Sequence, residues 1–368
     1  MTEPTIRQGI RGQTVALWHP DSVRDAVESR VARKLLSGTR VPGVKLHAGP
    51  SALTGPYNPP RSRRDRRSHE DFMPAVVRGA DIVRGMCPES KIHVGVGYDG
   101  IAHRVRSREW TVQRAIDRGL EVASMAHEAR AVALEYDPEA AWKVAENSWE
   151  WGALADVARG TIAAVRSAFP SLEQGHTSYD HILYHPQDRR PDRDDPGVYN
   201  WAAWCGDGGV DFAEFQVYAG DGDDDPATFT SHAGAVARFK RHEEQLAEAV
   251  QRGWIRPDLG PGGPGCCIYV QAHSVATSGS VYLASQRSKA TGSRRHVSWW
   301  APPKRCDARG LAALQIALEL EAGGYIDRHG PDAVKAWQTD HPVYAGRPDG
   351  IAGPKTYAAM GLSPVDPT

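Results

Sequence analysis

The sequence predicts an α/β fold: a (β/α)8 TIM-like barrel over residues 1–303, followed by a small three-helix module over 304–368. Three observations predict it. Short β-rich runs recur at intervals of roughly 30 to 45 residues, with helical periodicity in most intervals, which is the signature of βαβ units rather than hairpins. Eight such runs in just under 300 residues match the arithmetic of a closed parallel barrel. After Pro302-Pro303 the character changes to a compact leucine-rich helical stretch. The alternative, an open doubly wound sheet, would carry a glycine-rich turn after its first strand, and Trp18-His-Pro-Asp21 is no such turn.

Thr14–Trp18 is the first strand, ended by His19-Pro20. Val23, Val27, Val31 and Leu35 recur every four residues, so a helix follows and stops at Gly38. Gly43–Ala48 is the second strand, Phe72–Met86 a helix and Ile92–Gly97 the third strand. A helix from Glu109 to His127 leads into the fourth strand, Arg130–Asp137, which Pro138 closes because proline cannot donate to a ladder. Trp142 to Phe169 is helical, Ser178–Tyr184 is the fifth strand, and residues 186–209 form a polar loop. The sixth strand is Val210–Tyr218, and a helix from about Ala227 to Arg252 returns the chain to Cys267–Ala272 and then His296–Trp300. The glycine-rich 260–265 stretch precedes a strand, so it is a connection and not a phosphate loop.

Bulk properties exclude several classes. With 44 basic and 45 acidic residues the net charge is −1, so no global field favours nucleic acid. No apolar run is long enough for a bilayer, and the first residues lack the apolar core of a signal peptide, which makes cytoplasmic synthesis and no membrane partner the expectation. Five cysteines without CxxC spacing predict neither a disulfide framework nor a zinc ribbon, and adjacent Cys266 and Cys267 should point to opposite faces.

The chemistry is read from the fourth strand. Alternation puts Ala131, Ala133, Glu135 and Asp137 on one face, small and then acidic toward the C-terminal end, where barrel active sites lie. On the sixth strand Glu214, Gln216 and Tyr218 share a face in the same way. Glu135, Asp137 and Glu214 are therefore the catalytic candidates. Gln216, Tyr218, Trp299, Trp300, His47 and Tyr184 are the candidate substrate contacts. No HExxH occurs, and Asp221–Asp225 fails as a calcium loop because Pro226 takes the glycine position, so neither metal nor cofactor is expected.

The C-terminal stretch carries a resemblance. Ala313-Leu-Gln-Ile-Ala-Leu, Gly324-Tyr325, Ala333-Val-Lys-Ala-Trp-Gln338 and Asp349-Gly-Ile-Ala-Gly-Pro-Lys-Thr-Tyr-Ala-Ala-Met360 resemble the peptidoglycan-binding domain of bacterial cell-wall hydrolases. The resemblance implies wall binding through Trp337, Gln338, Asp349, Gly350 and Tyr357, with peptidoglycan as partner. Tyr325–Gly330 lacks the family's usual Asp-Gly turn. With Glu135/Asp137 on the fourth strand, Tyr218 ending the sixth and Trp299 or Trp300 on the eighth, the barrel is similar to those of chitinases and lysozymes, which implies hydrolysis of glycosidic bonds. Among its inward acids Glu135 is read as the general acid, assisted by Asp137 or Glu214. Its Glu-x-Asp order reverses theirs, and its seventh strand has no carboxylate. Two functions follow. One is a wall-glycan hydrolase of endolysin type, and the other is a non-catalytic wall-docking component of a phage tail or injection particle.

Overall fold

The computed structural model describes residues 12–18, 23–38, 40–48, 72–138, 142, 148–179, 196–217, 243–271, 296–300, 308–344 and 346–363. Eight strands form one closed barrel in chain order: β1 (Gly12–Trp18), β2 (Gly43–Ala48), β3 (Lys91–Gly97), β4 (Ala133–Asp137), β5 (Glu173–Tyr179), β6 (Phe212–Val217), β7 (Cys266–Gln271) and β8 (His296–Trp300). Every pairing is parallel, and β8 closes on β1 with Gly12 opposite His296. A closed parallel barrel has no free edge, and its inner face is lined by alternate residues of every strand.

The helices cover the outside. Those of the barrel are α1 (Val23–Val27), α2 (Arg30–Gly38), α3 (Phe72–Met86), α4 (Asp99–Arg106), α5 (Val112–Glu128), α6 (Ser148–Ala168), α7 (Pro196–Cys205) and α8 (residues 243–251). Outward side chains such as Val15, Val44, Leu46, Val94 and Leu134 are sealed against this layer. Thr111 starts α5 by accepting the amide of Arg114 at 3.1 Å, an N-cap worth about 1 kcal/mol. Cys266 joins the outer core and Cys267 the barrel interior beside Phe212, the opposite facing that adjacency requires.

Several elements differ from expectation, among them β5 and α7. The fifth strand is Glu173–Tyr179, which starts ahead of the expected Ser178, and the rest of the expected Ser178–Tyr184 lies outside the described residues. The Glu173–Tyr179 stretch is polar, and its outward Gln174 is accommodated because it finds polar partners on neighbouring elements. Gln174 takes the Tyr136 hydroxyl at 2.9 Å and donates to the Ile162 carbonyl at 3.0 Å. Tyr184, His181 and His185 lie outside the described residues. The stretch read as a polar loop holds α7, whose Trp201 and Trp204 are fully buried, with Trp201 stacked on Phe215 at 4.9 Å.

The C-terminal helices are α9 (Ala308–Ala322), α10 (Tyr325–His329), α11 (Ala333–Asp340) and α12 (Pro354–Ala359), so a short α10 adds to the three expected. Gln338 ties the loop before α12. Its side-chain oxygen accepts the amides of Asp349 and Gly350, and its nitrogen donates to Asp349 Oδ1, Ile351 O and Thr356 Oγ1. Gly350 takes a φ of 75°, a left-handed turn that favours glycine. Helix α9 ends against the base of the barrel, where Gln13 Nε2 donates to Glu321 Oε2 at 3.4 Å. Gly12 (φ 88°) has no room for a Cβ, because the Glu321 carboxyl fills that space.

Candidate active site

Inside the barrel, side chains from alternate strands share a level, the layering expected of this architecture. The even-numbered strands supply the polar levels. The middle level holds Lys45 from β2, Glu135 from β4, Glu214 from β6 and Ser298 from β8, all with no exposed surface. Lys45 Nζ donates to Glu135 Oε1 at 2.7 Å and to Glu214 Oε2, and Ser298 Oγ donates to Glu214 Oε1 at 2.7 Å. His93 from β3 lies beside this group, its Nε2 3.5 Å from Glu135 Oε2 and its ring edge-on to Phe212.

Two residues further along the same strands, about 6.6 Å nearer the C-terminal end, is the upper level. His47 Nε2 stands 3.3 Å from Asp137 Oδ2. Gln216 Nε2 reaches Asp137 Oδ1 and Thr177 Oγ1, each at 3.5 Å. Here exposure begins: His47 is 9% and Asp137 6% exposed. The backbone fixes Asp137 as well, because the amide of Tyr98 donates to its carbonyl at 2.9 Å. Trp142 Nε1 in turn donates to the Tyr98 carbonyl at 3.1 Å.

A missing side chain lets β2 reach β4. Gly95 of β3 lies opposite His47 on one side and Glu135 on the other. A Cβ there would stand 2.6 Å from His47 Cδ2 and 3.3 Å from Lys45 Cδ. Gly95 is therefore the gap across which Lys45 meets Glu135 and His47 meets Asp137.

Electrostatics separate the two levels. Burial, and then the charge of Glu214, push the Glu135 carboxyl well above the usual glutamate range, against the opposing pull of Lys45. Burial works to discharge Lys45, but the two carboxylates outweigh it and hold the ammonium above its ordinary value. Lys45 set between two carboxylates is how a sealed barrel tolerates buried acids, because each buried charge has an opposite charge within hydrogen-bond reach. The ligand atoms of His93, Glu135 and Glu214 lie within 4.8 Å of one another, a spacing a metal could use. The Lys45 ammonium, however, bridges the two carboxylates, so the chain's own cation takes that position.

The candidates thus divide. Glu135, Asp137, Glu214, Gln216 and His47 all converge in the barrel, but Glu135 and Glu214 are sealed below the mouth, which corrects the expectation that Glu135 meets substrate as general acid. Trp299 is also corrected: it faces outward, fully buried, and donates to Gln13 Oε1 at 2.6 Å, because Ser298 takes the inward position of β8. Tyr218 and the side chain of Trp300 lie outside the described residues. Trp337 and Gln338 are buried, and the half-buried Tyr357 donates its hydroxyl to Gln315 Oε1 at 3.2 Å, so all three take part in holding the C-terminal fold. Asp349 and Gly350 form the loop that Gln338 pins. Lys45, His93, Gly95 and Ser298 were missed. The glycines of Gly95-Val-Gly97, placed by alternation on the same face as His93, were the available signal for the gap.

No family model matches the chain, and no curated protein does. Solved structures do match. A glucosidase from Croceicoccus marinus superposes with a TM-score of 0.50 at 10% identity, over 85% of this chain and 68% of that one. A plant class V chitinase mutant from Cycas revoluta in complex with (GlcNAc)3 gives 0.49 at 13% identity, over 88% and 99%. An endo-beta-N-acetylglucosaminidase from Cordyceps militaris gives 0.43 at 10%, over 85% and 92%. The likeness is one of fold.

Proposed function

We propose that this protein is a glycan hydrolase acting on bacterial cell-wall polymer, held there by its C-terminal helices. The observation that carries the reading is Asp137: a carboxyl at the C-terminal end of a barrel strand, where such barrels do their chemistry, touched by His47 and Gln216. That carboxyl stands one level above the buried Lys45 cluster, at the height where exposure begins, which is where a group exchanging a proton with a ligand has to be. The glucosidase among the structural neighbours and the wall-binding resemblance of residues 311–362 are in keeping with a sugar polymer, with peptidoglycan the specific candidate. Hydrolysis of a glycosidic bond needs a second group, either another carboxylate or an amide of the substrate itself. Glu135 and Glu214 are sealed away from that role. Glu139, the next carboxylate in sequence after Asp137, lies outside the described residues.

The test is digestion of purified peptidoglycan by the full chain, with analysis of the released ends. New reducing ends that disappear in Asp137→Asn are expected. New amines in place of reducing ends would mean a peptidase or amidase and overturn the reading. A Glu139→Gln variant compared with Asp137→Asn shows which carboxyl protonates the leaving oxygen. The second reading, a wall-docking component without catalysis, is favoured by the sealing of two of the three acids. Wall binding with no released ends of either kind would establish it.

A further inference from the structure

The mouth-side rim of the barrel carries an aromatic and basic corner that the site above does not use. Helix α4 starts directly after β3, and α6 starts on the same face, so the end of α4 and the first turn of α6 meet above the helix layer. Arg106 Nε and Glu150 Oε2 join them at 2.9 Å, both mostly buried. Beside this bridge the guanidinium of Arg108 lies over the indole of Trp149, 4.7 Å from its centroid. Trp149 is still 45% exposed with that guanidinium in place, and it is the aromatic among the exposed large apolar side chains of the described residues.

Neighbouring residues of the same kinds are used differently. Trp110 lies between Arg104 and Arg114, but Arg104 is paired with Glu109 at 2.6 Å and Arg114 with Glu121 at 2.9 Å. Arg108 makes no ion pair with a described residue. Its backbone holds a φ of 62°, a left-handed conformation that costs a non-glycine residue about 1 kcal/mol. Arg130 adopts a similar φ of 51°, but its guanidinium reaches Asp81 at 3.3 Å. The strain at Arg108 instead presents, on a part-exposed indole, a cation without an ion-pair partner among the described residues, a pairing worth about 0.5–1 kcal/mol by itself at an exposed site.

We infer that this corner is a binding surface for an anionic polysaccharide, with Trp149 under a sugar ring and Arg108 on the acidic group that the ring carries. The choice of a saccharide rests on the proposed function, whereas the anionic character comes from Arg108. The surface lies on the same face as Asp137 and outside the mouth, so it would hold a strand without taking part in its cleavage.

Affinity electrophoresis of the full chain tests this, in native gels containing polygalacturonate, wall teichoic acid or neutral dextran. Retardation by an anionic polymer and not by dextran is expected, with affinity reduced about three- to tenfold in Trp149→Ala and in Arg108→Gly. Glycine suits the left-handed backbone, so the second variant removes the cation without straining the fold. Retardation by polygalacturonate alone assigns carboxylates to the site, and by teichoic acid alone phosphodiesters. Variants retarded like the parent protein, or equal retardation by dextran, overturn the inference. Cleavage of a soluble oligosaccharide should be unchanged in both variants. A protein that cleaves nothing yet is retarded would remove the hydrolase reading and leave this surface, and the reverse result would do the opposite.

Discussion

The middle and upper levels of the barrel are built by the same strands from similar residues, yet they are chemically unlike. At the middle level a lysine and two glutamates compensate one another out of reach of water, with Ser298 completing the set. One step of alternation higher, a histidine, an aspartate and a glutamine sit where exposure begins, with contacts of 3.3 to 3.5 Å. The difference teaches that an acid in a barrel is defined by its height. Below, a lysine set between two acids ties the strands together, and above, a carboxyl stands where exposure begins.

Substitutions can break that contrast. The largest effect on activity is expected from Asp137→Asn, a loss of about 10²–10⁴ in the rate of wall digestion with an unfolding midpoint close to that of the parent. Lys45→Met should act on stability instead, costing about 3–5 kcal/mol in denaturant unfolding, because it leaves two buried acids without their cation. Gly95→Ala touches both levels through His47 and Lys45, so about 1–3 kcal/mol of stability and part of the activity should be lost together. The smallest change is expected from Glu135→Gln, less than about 1 kcal/mol near neutrality, since glutamine copies the protonated form.

The pH dependence of that last variant sharpens the contrast further. The folded-state pKa of Glu135 is raised above 4.5 by burial and by Glu214. Its contribution to stability is therefore complete below 4.5 and is lost as pH rises through the raised value. Unfolding measured across this window should show the parent protein losing stability as pH rises and Glu135→Gln losing less. Parallel curves would mean that Glu135 carries no extra proton.

Much of the barrel was legible because its strands have one apolar face, and Glu135 and Asp137 fell on the inner side by parity alone. Height was not legible: nothing in Glu-Tyr-Asp tells which acid the closing strands will cover. Lys45 was overlooked for a related reason, since a lysine in a strand normally marks a solvent face, and only closure turns that face inward. On β8 the choice between Trp299 and Trp300 needed the register with β1, which depends on contacts nearly 300 residues apart. The polar β5 was hidden because its partners, Tyr136 and the Ile162 carbonyl, come from other elements.

The seating of Glu321 over Gly12 has a spatial consequence. The helices that resemble a wall anchor are fastened beneath the barrel, at the end away from Asp137, with Gln13 linking Glu321 to the Trp299 indole. A protein gripping murein through those helices would stand with its opening directed away from the chain it holds. If it is also the hydrolase proposed above, it would cut neighbouring strands within its reach, and each attachment would clear a patch around a footprint left whole.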